Sequence, residues 1–151
     1  MHRILFVCHG NICRSTMAEF VLKDTVAARG LAGEFHIESA ATSTEEIGSP
    51  VHPGTQRVLR AHGIGGFEKK RACQLCRADY DDFDLIVGMD EANIRNMSRM
   101  LGGDPAGKIR KLLTFAGSSR DVADPWYTGD FATAYADVTA GCEGLLAYLE
   151  Y

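Results

Sequence analysis

The octet Cys8-His9-Gly10-Asn11-Ile12-Cys13-Arg14-Ser15 follows the apolar run Ile4-Leu5-Phe6-Val7 and opens a helical pattern, with Cys8 and Arg14 in the spacing C-x5-R. A turn of this length between a strand and a helix can point successive backbone N–H groups inward, which makes an anion nest at a helix N-terminus. Gly10 is free to take a positive φ and Asn11 tolerates one, so the loop can close around a single phosphate. Arg14 adds a planar fork able to grip two phosphate oxygens. Helix N-termini and nearby cations favour a cysteine thiolate, and Cys8 therefore reads as a nucleophile toward phosphorus. The loop amides and Arg14 are aimed at the oxygens on which charge is carried. C-x5-R alone is weak, because a cysteine at a strand end is commonly a small buried hydrophobe. Its setting makes it specific: strand before, helix after, Gly and Asn inside, and the hydroxyl of Ser15 just beyond Arg14.

Cleavage of a phosphate ester also needs a group that protonates the leaving oxygen and later takes a proton from water. Val122-Ala123-Asp124-Pro125-Trp126-Tyr127 offers one. Pro125 biases Asp124 toward an extended conformation and stiffens the loop, while Trp126 and Tyr127 can wall a flat leaving group. An Asp-Pro pair by itself is an ordinary turn signal. Beside the first motif it reads as the general acid and base.

With these residues in place, the sequence resembles the low-molecular-weight protein tyrosine phosphatases along nearly its whole length. The resemblance rests on the Cys8–Ser15 loop, Ser39-Ala40-Ala41-Thr42-Ser43 with Ile47-Gly48, His62-Gly63-Ile64, Met89-Asp90-Glu91 and Asp124-Pro125. It implies that Cys8 is the nucleophile, that Arg14 binds and stabilises phosphate, and that Asp124 is acid and then base. It further implies a hydrogen-bonded network of Asn11, Ser15, Ser39 and His62 that holds the loop, with the Ser15 hydroxyl aimed at Cys8. Ser15 could also serve as a helix cap and His62 as a favourable helix end before Gly63. The chain departs from the family pattern in three places. Thr16 replaces a common Pro and forms with Glu19 a T-x-x-E spacing compatible with a capping box. His9 lies within the loop, and Glu45 stands where an aromatic often lines the pocket mouth, so substrate preference is open at both. A solvated histidine and solvated glutamates at 45 and 46 are the plain alternatives.

The chain has 151 residues, 46% of them hydrophobic, which suits one domain over residues 1–151 with a sizeable core. Its formal net charge of −4 speaks against nucleic-acid binding, which calls for a broad basic face. No run approaches the roughly 20 apolar residues of a membrane span, and Met1-His2-Arg3 leads into a strand rather than a signal peptide. A soluble cytoplasmic protein is the expectation. The five cysteines are odd in number and unlike a secreted disulfide framework.

Strand and helix patterns alternate without repeats or linkers. A strand at Ile4–Val7 precedes a helix of about four turns with the stripe Ala18, Val21, Leu22 and Val26. A strand near Phe35–Ala41, a short helix from Thr55 to His62 stopped by Gly63, and a buried strand at Leu85–Met89 follow. Asp90 can cap the next helix, which turns Ile94, Met97 and Leu101 inward. Ile109–Phe115 is another strand candidate. A long closing helix carries Phe131, Tyr135, Val138, Cys142, Leu145, Leu146 and Leu149. This alternation implies an α/β fold, a parallel sheet covered by helices on both faces, with ligands beyond the carboxyl ends of the strands. The resemblance makes it a flavodoxin-like three-layer fold with a four-stranded sheet.

Cys13 shares the loop with Cys8, so oxidation can join them and shield the nucleophile from irreversible oxidation, as the resemblance also implies. Cys73-Gln74-Leu75-Cys76 has no second pair or histidine cluster to complete a zinc site, and it lies in a basic stretch with Lys69, Lys70, Arg71 and Arg77 that reads as a solvated face. Neither a metal nor a cofactor is called for, since Arg14 and the loop amides carry the charge. The expected activity is hydrolysis of phosphotyrosine in proteins, and of aryl phosphates, through a cysteinyl-phosphate. A cognate tyrosine kinase is the candidate partner, and a monomer or weak dimer the expected assembly. Three rivals stand beside it: a protein-arginine phosphatase, against which Ile12, Trp126 and Tyr127 weigh; a thioredoxin-linked arsenate reductase, whose cysteine relay is poorly matched by a C-x2-C placed before the central strand; and a non-catalytic anion-binding module, against which the presence of Cys8, Arg14 and Asp124 together weighs.

Overall fold

A computed structural model describes residues 1–151. Four strands, β1 (His2–Cys8), β2 (Phe35–Ala41), β3 (Leu85–Gly88) and β4 (Ile109–Lys111), pair in parallel in the order β2-β1-β3-β4. This is the flavodoxin-like order, and its parallel ladders require crossovers that supply the helices: α1 (Arg14–Ala28), α2 (Pro53–Ala61), α3 (Asp79–Asp82), α4 (Glu91–Leu101), α5 (Pro125–Thr128) and α6 (Phe131–Tyr148).

Strand alternation divides the core in two. Ile4, Phe6, Ile37, Leu85 and Val87 face α1 and α6, whose Ala18, Val21, Leu22, Val26, Val138, Cys142, Leu145 and Leu146 are buried against them. Leu5, Val7, Ala40 and Ile86 face the opposite way and meet Met97 and Leu101 of α4, with Phe83 and Leu75. The expected stripes are therefore the packed ones. Ile94 is only half-buried, and Leu149 sits one residue past the end of α6 as its C-cap.

Two expected elements differ. The strand anticipated at Ile109–Phe115 stops at Lys111, and residues Leu112–Ala116 form a 3-10 helix ended by Gly117 at φ 80°. The 3-10 turn still buries Leu112 and Leu113, so the apolar run is satisfied by packing against α6 rather than by a longer ladder. The Thr16–Glu19 capping box is not formed either. α1 begins at Arg14 with Cys13 as N-cap and no side-chain cap; Thr16 Oγ1 donates to the Cys13 carbonyl, and Glu19 is buried and engaged elsewhere.

The chain leaves β1 toward β2 on one side and later adds β3 on the other. Strand order therefore switches at the carboxyl ends of β1 and β3, where a crevice opens and ligands bind in such sheets. The Cys8–Ser15 loop lies there. No helix is long and apolar enough to cross a membrane.

Candidate active site

Asn11 takes the left-handed conformation at φ 58° and turns the loop, whereas Gly10 does not adopt a positive φ. A Cβ at Gly10 would make only ordinary contacts with Glu46 and Ile12. The freedom assigned to two residues is thus used by one, and Asn11 earns the position through its side chain. Its Oδ1 accepts from the Cys73 backbone N–H at 3.2 Å, which can only donate and so fixes which way the amide faces. Nδ2 then directs its two hydrogens to Ser15 Oγ at 2.8 Å and Ser39 Oγ at 2.9 Å. Ser39 in turn donates to Glu19 Oε1. The Cys8 thiol donates to Ser15 Oγ at 3.0 Å. Because Ser15 already accepts from Asn11, its own hydrogen is free to point at sulfur once the thiol has lost its proton.

The network brings together Asn11, Ser15 and Ser39 but not His62. That histidine is exposed, caps the end of α2, pairs through Nδ1 with the Val58 carbonyl at 2.9 Å and stacks on Tyr135 at 3.9 Å. Gly63 at φ 72° turns the chain away directly after it, so the plain helix-end reading holds. Glu19 and Lys70 close the network instead. Glu19 pairs with Lys23 Nζ at 2.6 Å and Lys70 Nζ at 3.4 Å, and Lys70 also donates to the Ser39 carbonyl. One member of the supposed solvated basic face is therefore structural. The available signal was a glutamate on the stripe side of α1, a buried charge that demands partners.

Arg14 is buried and its fork is held from three sides. Nη1 donates to Asp90 Oδ2 and to the Val122 carbonyl, both at 2.8 Å, and Nη2 lies 3.3 Å from Asp124 Oδ2. Nε is buried with no hydrogen-bond partner. Burial opposes the charge, yet Cys8, Asp124 and Asp90 outweigh it and raise the pKa of the guanidinium above its usual value. Asp90 went unseen as a site residue because its capping role already explained it. Its Oδ1 does cap α4 by accepting from Asn93 N at 2.7 Å, while the other oxygen reaches across the crevice to Arg14.

Asp124 is extended, at φ −79° and ψ 112°, as the following Pro125 favours, and its Oδ1 accepts from Trp126 N to cap α5. The preceding segment is pinned by Val122 N donating to the Met89 carbonyl at 3.0 Å and by Lys111, whose Nζ bonds Glu91, Asp121 and the Ser119 carbonyl. The hydrogen bonds with Glu91 and Asp121 hold the Lys111 ammonium pKa above its usual value against the cost of desolvation. Together Cys8, His9, Gly10, Ile12, Cys13, Arg14, Glu45, Glu46, Asp90, Asp124, Trp126 and Tyr127 line one cleft of about 270 Å³. His9 and Glu45 are not merely solvated: His9 Nε2 and Glu45 Oε2 pair at 3.0 Å across the mouth. Cys13 lines the same cleft, where burial foremost, with the neighbouring Cys8 and Asp124, pushes its thiol up to about 12.

The arrangement can seat a tetrahedral anion at a buried guanidinium, with a thiol beneath and a carboxylate at the rim. The family model described as low molecular weight phosphotyrosine protein phosphatase matches residues 3–151. The low molecular weight protein-tyrosine-phosphatase YfkJ of Bacillus subtilis is 43% identical over 152 residues, 99% of this chain and 97% of the relative. Its crystal structure matches with a TM-score of 0.95 over 99% of this chain and 95% of its own. SP-PTP, the low molecular weight protein tyrosine phosphatase of Streptococcus pyogenes, matches with a TM-score of 0.89 at 39% identity, over 100% and 99% of the two chains. PtpA of Staphylococcus aureus, also a low molecular weight protein-tyrosine-phosphatase, is 37% identical over 97% of this chain and 92% of its own.

Proposed function

The chain belongs to the low molecular weight phosphotyrosine protein phosphatase family, and from that premise we propose that it hydrolyses phosphotyrosine in proteins through a covalent phosphate on Cys8. The Cys8 thiolate attacks phosphorus, forming an S–P bond as the ester P–O bond breaks. Asp124 gives its proton to the departing phenoxide. Water then attacks the same phosphorus, Asp124 takes its proton, and the S–P bond breaks to return the thiolate and release inorganic phosphate. Arg14 and the loop amides hold the equatorial oxygens throughout, and Ser15 stabilises the thiolate as it leaves.

The observation that carries this reading is Arg14 Nε: buried, without a partner, in a fork whose other nitrogens are already fixed by Asp90, Val122 and Asp124. A phosphate oxygen supplies what that N–H lacks. Trp126 and Tyr127 favour an aryl leaving group, and the relatives of 35–43% identity are named protein-tyrosine phosphatases; the rival arginine-phosphatase reading has a namesake in DARP, the Drosophila arginine phosphatase, whose structure matches with a TM-score of 0.88 at 28% identity. Residues 1–151 work as one domain, as a monomer or weak dimer in the reducing cytoplasm, opposing a tyrosine kinase. Hydrolysis of an aryl phosphate without added metal tests the reading: Cys8→Ser should abolish it and Asp124→Ala should slow it. Activity indifferent to Cys8 would overturn the proposal.

A further inference from the structure

His52 lies behind the cleft rather than in it, yet it ties three parts of the site together. Its backbone N–H donates to the Ile12 carbonyl of the phosphate loop at 2.9 Å. Its Nδ1 accepts from Gly54 N at 2.9 Å, capping α2. The imidazole is stacked on Phe131, with centroids 5.1 Å apart and planes 22° from parallel, and meets Trp126 edge-on at 5.7 Å and 80°. Phe131 in turn packs on Ile12 and Cys13. A continuous aromatic column therefore runs from the loop floor through Phe131 and His52 to Trp126, which lines the cleft two residues after Asp124. Gly54 is required here, because a Cβ at that position would overlap the Phe131 ring.

Trp126 is otherwise weakly held. It is 57% exposed, on a four-residue helix. We propose that His52 is a positioning residue that holds Trp126 upright against the phosphate loop, so that the cleft is ready-made for a flat aryl group. Partial burial and the nearby Arg57 depress the His52 pKa, against an opposing pull from Glu46, which keeps Nδ1 available to the Gly54 N–H. The specificity claim rests on the aryl-phosphatase reading, whereas the placement of Trp126 does not.

Two variants separate the ring from the cap. His52→Asn keeps a good helix cap and removes the ring; His52→Phe keeps a ring and removes the acceptor. In His52→Asn, KM for an aryl phosphate should rise about 2- to 10-fold, the worth of one aromatic pair, with KM for an alkyl phosphate unchanged. His52→Phe should restore the aryl KM. Trp126 is the single tryptophan of the chain, so its fluorescence reports directly: acrylamide quenching should increase in His52→Asn and return toward wild type in His52→Phe. Unchanged aryl KM and quenching in His52→Asn would overturn the proposal, as would a His52→Phe variant no better than His52→Asn. A wild type inactive on aryl phosphates would sink the function reading alone, and the quenching comparison would still decide the role of His52.

Discussion

Asp90→Asn separates two tasks of one carboxylate. Oδ1 accepts from Asn93 N at 2.7 Å to cap α4, and Asn ranks with Asp as a cap, so the helix should lose only a few tenths of a kcal/mol. Oδ2 accepts from Arg14 Nη1 at 2.8 Å across the crevice, and here the loss is a charge-assisted bond worth about 1.5–3 kcal/mol. The Asp90 side chain is 21% exposed, and Val122 and Asp124 still hold the fork, which places the expectation at the lower end, about 1.5–2 kcal/mol. At 1.4 kcal/mol per tenfold, kcat/KM and the affinity for inorganic phosphate should fall roughly 10- to 30-fold if that energy serves to aim Arg14. Asp90→Ala should lose a further ~1 kcal/mol of stability through the cap, with little more lost in kcat/KM. Steady-state kinetics with phosphate as a competitive inhibitor, beside urea unfolding, measures both quantities. Wild-type phosphate affinity in Asp90→Asn would refute the argument that this contact across the crevice positions the fork.

Three further outcomes follow from the geometry. Asp124→Ala should lower kcat by about 10²- to 10⁴-fold on esters with poor leaving groups and much less on those with good ones, as a comparison across leaving-group pKa would show. Asn11→Ala forces a non-glycine, non-amide residue into φ 58° and strands Ser15, Ser39 and the Cys73 N–H; unfolding should be easier by about 2 kcal/mol or more, and Asn11→Gly should recover the strain but not the hydrogen bonds. The Cys13 thiol is raised from 9.0 to about 12, so the unfolded chain gives up that proton first. Its contribution to stability is complete below 9.0 and is lost as pH rises toward about 12, and Cys13→Ser should flatten that decline in pH-dependent denaturation.

The parts of the fold legible in the sequence were those where one local signal decides. β2 occupies the expected Phe35–Ala41 because a short alternating apolar run is flanked by turn residues, and the stripe of α1 and the Val138, Cys142, Leu145 and Leu146 part of the α6 stripe are buried as periodicity requires, with Phe131, Tyr135 and Leu149 half-buried at its ends. Leu112–Ala116 was misread because apolar residues alone do not distinguish a strand from a 3-10 turn that buries the same side chains. In the candidate site, Cys8, Arg14 and Asp124, which their chemistry singles out in the sequence, lie together in one cleft. Asp90, Glu19 and Lys70 are not singled out in this way, since each acts through a partner far away in sequence: Asp90 on Arg14, Glu19 on Ser39, Lys70 on Glu19. His62 was misassigned for the opposite reason. Its place before Gly63 is a local helix-end signal, and the network role implied by resemblance falls to side chains that the sequence does not mark.

The most direct test is to mix Asp124→Ala protein with an aryl phosphate, quench in acid within the first turnover, and locate phosphate by mass spectrometry of the peptides. The mechanism predicts phosphate on Cys8, absent from a parallel Cys8→Ser sample. Rapid release of the phenol with no phosphorylated Cys8 peptide at any quench time would contradict it.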